Sequence, residues 1–142
     1  MQIAEAMTDT VITAPRDASL RSVAELMRDR SVGSVVIVDG ERPCAVITDR
    51  DVAIAVAANG VRPTDEVDSH ASRPLVCGDV GMNVEEAAAL MMQHGVRRLP
   101  IVDDGSLAGI VTLDDLAVKT GDLKLAQQTE GAEVERTIAP RP

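Results

Sequence analysis

With 142 residues, the chain has room for one domain of ordinary size or two half-sized units sharing a core. Its net charge of −9, from 23 acidic against 14 basic residues with no Lys/Arg cluster, argues against nucleic acid or an anionic membrane as a partner. It has no Phe, Tyr or Trp, so the core must come from Val, Ile, Leu, Ala and Met, and no aromatic ring can stack on a base.

The N-terminal MQIAEAMTDT lacks the basic-then-apolar order of a secretory signal. The longest apolar runs, such as VAIAVAA at 52–58, are too short to span a bilayer, so a cytoplasmic protein is expected. The first extended piece is TVITA (10–14), rich in β-branched residues. Ser19 follows as an N-cap for a helix whose apolar stripe is Leu20, Val23, Ala24 and Met27, the i, i+3, i+4, i+7 spacing of one buried face. SVVIVD (34–39) and CAVITD (44–49) are near-continuous apolar runs, expected as strands buried on both faces and joined as a hairpin across GERP. A closing helix begins after Thr48.

The same series then recurs. Sliding the chain by 64 positions aligns 11–53 with 75–117 without a gap, and the apolar pattern extends back to Ile3 and Val67. Identical pairs include Ala24/Ala88, Met27/Met91, Val32/Val96, Ile37/Ile101, Asp39/Asp103, Thr48/Thr112 and Asp51/Asp115. The second copy opens with PLVCG (74–78) and continues with Asn83 as N-cap and Glu86 completing a capping box. Its helix carries Val84, Ala87, Ala88 and Met91 and ends at Gly95. The strands RLPIVD (98–103) and LAGIVT (107–112) follow, and then a helix after Thr112. The expected organisation is repeat 1 over 3–60, a linker at 61–66, repeat 2 over 67–122, and a tail at 123–142 that is partly helical or disordered. The fold class is mixed α+β (α/β in the broad sense), built of two β-α-β-β-α units.

Two such units, each with an I-V-D strand end followed by [AG]-[VI]-[IV]-T-x-x-D, resemble a tandem pair of cystathionine β-synthase (CBS) domains over roughly residues 3–122. The likeness is greatest to small stand-alone bacterial CBS-pair proteins. It implies a pseudo-twofold module with two clefts between the repeats, in which many members bind adenosine nucleotides. The Thr and Asp of T-x-x-D then hold the ribose hydroxyls, apolar residues flank the base, and basic residues entering the second strand reach the phosphates.

Carried over to this chain, the resemblance implies one cleft with Thr48, Asp51, Val46, Val76 and Val96, and with Arg97 and Arg98 as phosphate contacts. The other would use Thr112, Asp115, Ile110, Ile12 and Val32, but it has Gly33 and Ser34 where the arginines stand, so the first is expected to bind better. The chemistry is sound without the family. An ionised Asp accepts both protons of a cis-diol in charge-assisted bonds, Thr adds a donor and an acceptor, and a helix N-terminus favours an anion. The capping-box reading of T-x-x-D is compatible with this clamp. Arg50, between two aspartates, is within reach of a phosphate but is read as pairing locally, and for Arg97 and Arg98 the alternatives to phosphate contact are solvated surface arginines or salt bridges to the acidic excess.

His70 and His94 are isolated, and Cys44 and Cys77 make neither a disulfide framework nor a Cys-x-x-Cys pair, so no metal site is expected. No nucleophile–base pair, P-loop or G-x-G-x-x-G is present, and no catalytic residue is assigned. The expected function is a non-catalytic regulatory module sensing AMP, ADP, ATP or another adenosyl compound, with no obligatory cofactor. It is expected to be a homodimer that reports to an unknown protein partner. The alternative is a structural or stress-response dimer that acts through protein partners without binding nucleotide.

Overall fold

The structure is a computed structural model that describes residues 1–72 and 75–121. Pro74, the end of repeat 2 at 122 and the tail at 123–142 therefore lie outside the described residues. In chain order the elements are α1 (Ile3–Ala6), β1 (Thr13–Pro15), α2 (Leu20–Arg30), β2 (Ser34–Asp39), β3 (Arg42–Thr48), α3 (Asp49–Ala53), β4 (Gly78–Asp79), α4 (Val84–His94), β5 (Arg98–Asp103), β6 (Ser106–Thr112) and α5 (Leu113–Thr120). The chain divides into two compact units, Val11–Leu75 and Met1–Thr10 together with the chain from Val76.

Each unit carries a three-stranded sheet of one design: β1-β2-β3 in the first, β4-β5-β6 in the second. The opening strand runs parallel to the middle one, and the last two form an antiparallel hairpin. The opening strands are shorter and later than TVITA and PLVCG suggest, because their parallel ladder engages only β2 from Val36 onward and β5 from Ile101 onward. The hairpins turn on two residues, since β3 and β6 begin at Arg42 and Ser106. Gly40 supplies the positive φ in one turn, and Asp104 and Gly105 supply it in the other, as tight hairpin loops require. The duplication extends to a defect: both ladders slip by one residue, leaving Cys44 and Ala108 as the bulged positions.

The helical stripes bury as spaced. Leu20, Val23 and Met27 of α2 join Val35, Ile37, Ala45 and Ile47 in one core, while Val84, Ala87, Ala88 and Met91 of α4 join Leu99, Ile101, Val111 and Leu116 in the other. Ala24 remains half-buried. Three consecutive buried residues in each middle strand, Val35–Ile37 and Leu99–Ile101, show both faces covered, as an unbroken apolar run implies. Helix α4 ends at Gly95 in the left-handed conformation, and α2 places Ser31 there at φ 53°. The helix after Thr48 is not wholly α: α3 passes into a π-helical segment at Ile54–Ala58.

The segment that leads into each copy completes the other copy's unit. Ile3 donates its N–H to the Met82 carbonyl (3.0 Å), and Thr8 exchanges both backbone bonds with Ile110 (2.8 and 2.9 Å). One repeat along, Val67 donates to Ala18 (2.8 Å) and Ser72 to Val46 (2.9 Å), the same residues displaced by 64. Ile3 and Val67 are each 0% exposed, and burying an aliphatic side chain of this size contributes about 1.5–3 kcal/mol. Lys119 fastens the first of these segments by donating from Nζ to the Ala6 carbonyl (3.0 Å).

Candidate functional site

The T-x-x-D corner sits where the last strand of each sheet turns into the closing helix. Thr48 is the extended N-cap of α3, and its Oγ1 accepts the Asp51 N–H at 3.1 Å. The Asp51 carboxylate accepts the Thr48 N–H at 2.9 Å, closing a reciprocal capping box. In the second unit, Thr112 caps α5 in the same way, with Oγ1 accepting the Asp115 N–H at 3.0 Å. There the reciprocal bond is not made, and the half-buried Asp115 carboxylate has no hydrogen bond or ion pair among the described residues. One carboxylate is therefore committed to its helix, and the other is available to a ligand hydroxyl.

Each corner is held against the start of the neighbouring strand. Asp49 donates its N–H to the Gly33 carbonyl (3.0 Å), and Leu113 does the same to Arg97 (2.9 Å). The hairpin register puts Ser34 directly across from Thr48, and Arg98 directly across from Thr112. Arg98 is exposed and makes no ion pair among the described residues. The Arg97 guanidinium bonds the carboxylate of Asp114, one residue before Asp115. Within the second unit, Arg97, Arg98, Thr112 and Asp115 thus share one corner. The sequence reading assigned both arginines to Thr48 and Asp51 and did not use this register. Arg50 donates its backbone N–H to the Asp49 side chain (2.8 Å).

The apolar candidates fall into two groups. Ile12, Val32 and Val46 lie in the first unit, all half-buried; Ile12 and Val32 pack against its core, and the Val46 carbonyl accepts the Ser72 N–H. Val76, Val96 and Ile110 lie in the second, where Val76 and Val96 pack against the core and Ile110 pairs with Thr8. The sequence left a salt bridge to the acidic excess open for Arg97 without naming the acid, and the structure supplies Asp114. Both cysteines are free and half-buried, and burial pushes the Cys77 thiol up from its ordinary value. Among the described residues, no group of three or more His, Cys, Asp and Glu could hold a metal ion, and no helix is long and apolar enough to cross a membrane.

A family model described as CBS domain matches residues 3–58 and again 66–119. The chain is similar to CBS domain-containing protein YhcV of Bacillus subtilis, 39% identical over 116 residues that make up 82% of this chain and 83% of that one. It also matches hypoxic response protein 1 of Mycobacterium tuberculosis, 32% identical over 70% of this chain and 71% of the relative. It spans only 61%, 40%, 34% and 59% of four archaeal relatives. Among solved structures, the CBS domain protein PAE2072 of Pyrobaculum aerophilum, complexed with AMP, superposes at a TM-score of 0.77. It is 25% identical, and the match covers 89% of this chain and 99% of that one.

Proposed function

The chain belongs to the CBS-domain family, and on that premise we propose that it is a non-catalytic regulatory module that binds an adenosyl compound at its T-x-x-D corners. The observation that carries this reading is the second corner. It combines a carboxylate without a partner among the described residues at Asp115, a hydroxyl at Thr112 and an exposed arginine opposite it at Arg98. A cis-diol fits the Asp–Thr pair, and an anionic group fits the arginine beside the α5 N-terminus. The AMP held by the Pyrobaculum relative supports an adenosine ligand of the same kind here. Thr48, Asp51, Val46, Ile12 and Val32 form a second, weaker corner, because Asp51 already serves its helix and Gly33 and Ser34 carry no charge. This reverses the ranking expected from sequence. The protein acts in the cytoplasm as a homodimer, signalling to a protein partner by a change of shape or stability.

Calorimetry with millimolar AMP, ADP, ATP and S-adenosylmethionine tests the reading, since a chain without Trp or Tyr gives almost no intrinsic fluorescence. Ligand at a hundred times its Kd stabilises the fold by about 2.7 kcal/mol, and Asp115→Ala removes that gain. A second reading, a stress-response dimer that binds no nucleotide, draws on the relative named hypoxic response protein 1. No thermal shift with any adenosyl compound would favour it.

A further inference from the structure

The two corners carry different charges at equivalent positions. Repeat 1 has Gly33 and Ser34 at the entry to its middle strand and Asp49 and Arg50 at the helix start, whereas repeat 2 has Arg97 and Arg98 at the strand entry and Leu113 and Asp114 at the helix start. In repeat 2 these charges meet. The side chain of Arg97 is only 18% exposed, whereas that of Asp114, its partner, is 67% exposed. We infer that Asp114 sets the charge selectivity of this corner by holding Arg97, so that a phosphorylated ligand must compete with a carboxylate of the chain itself. This rests on reading Thr112 and Asp115 as the ribose clamp.

The electrostatics of the corner then define a ligand class. Arg97 and Arg98 balance Asp114 and Asp115, leaving no net charge among the four, and the chain as a whole carries −9. Arg98, opposite Thr112 and without an ion pair among the described residues, is available to one phosphate. Each further phosphate adds negative charge beside Asp114, which already holds Arg97. The corner accordingly favours a nucleoside, a nucleoside monophosphate or another adenosyl compound of low charge over a triphosphate. Removing the Asp114 charge takes away that competitor for Arg97 and shifts the preference toward phosphate-rich ligands.

Isothermal titration of the intact chain with adenosine, AMP and ATP, compared with Asp114→Asn and Asp114→Glu, tests this. In Asp114→Asn, ATP affinity rises about fivefold, the worth of an exposed ion pair, while adenosine affinity stays within about twofold. Asp114→Glu keeps the wild-type order, which separates charge from side-chain shape. Equal shifts for adenosine and ATP in Asp114→Asn, or no shift for either, would overturn the inference while leaving the clamp standing. Failure of the wild-type chain to bind all three would remove the clamp reading, and the inference with it.

Discussion

Alanine at Asp51 and at Asp115 should have unequal consequences for the ligand-free chain, although the two residues occupy the same place in a duplicated motif. At Asp51 the substitution removes a carboxylate that accepts the Thr48 N–H at 2.9 Å, which leaves an N-terminal donor of α3 without that partner. It also removes a negative charge from the first turn. Loss of such a cap costs about 1–2 kcal/mol. At Asp115 the cap through Thr112 is retained, and the carboxylate has no bond among the described residues to lose, so only the charge–dipole contribution disappears, about 0.5 kcal/mol. For a chain of this size, 1 kcal/mol moves Tm by about 3 °C, so Asp51→Ala should lower Tm by about 3–6 °C and Asp115→Ala by about 1–2 °C. Scanning calorimetry or circular dichroism without ligand measures both. Equal losses, or the larger loss at Asp115, would refute the claim that one carboxylate is a structural cap and the other is held in reserve.

Gly109→Ala tests the segment that precedes repeat 1. A Cβ at this buried position would meet Met7 Sδ at 2.7 Å and the Thr8 carbonyl oxygen at 2.8 Å. Overpacking of this kind costs about 1–3 kcal/mol. Hydrogen exchange should speed up at the Ile110 amide, which bonds that carbonyl, and stay unchanged at the Ser72 amide in the other unit. The Cys77 thiol, raised by burial, gives a pH dependence. The folded state favours the protonated thiol, so this contribution to stability is complete below the ordinary cysteine range and is lost as pH rises through the higher folded value. Cys77→Ala should remove that alkaline loss in a Tm-against-pH series, and iodoacetamide should label Cys77 slowly at neutral pH.

The duplication makes most of the architecture legible in the amino-acid sequence. A constant offset, apolar stripes at helical spacing and unbroken apolar strands place α2, α4, the starts of α3 and α5 and the central strands of both sheets, because burial dictates those patterns locally, whereas the four-residue α1 carries no such stripe. Two kinds of feature escaped. The crossed packing of Ile3 and Val67 depends on long-range partners; the apolar match at those two positions signalled that they are buried, but not which sheet each would join. The corners escaped for a different reason. Thr and Asp of the motif are identical in both copies, yet one box closes and the other does not, and the residues that differ between them lie at the entry to the facing strand and at the second and third motif positions. Hairpin register brings Arg98 across from Thr112, and an ion pair then joins Arg97 to Asp114. A motif fixes which groups are present, whereas its neighbours fix which of them are already occupied. In this chain the copies differ at the second and third motif positions and at the entry to the middle strand, around a Thr and an Asp that do not change. One corner closes its capping box, while the other leaves the Asp115 carboxylate without a hydrogen bond among the described residues.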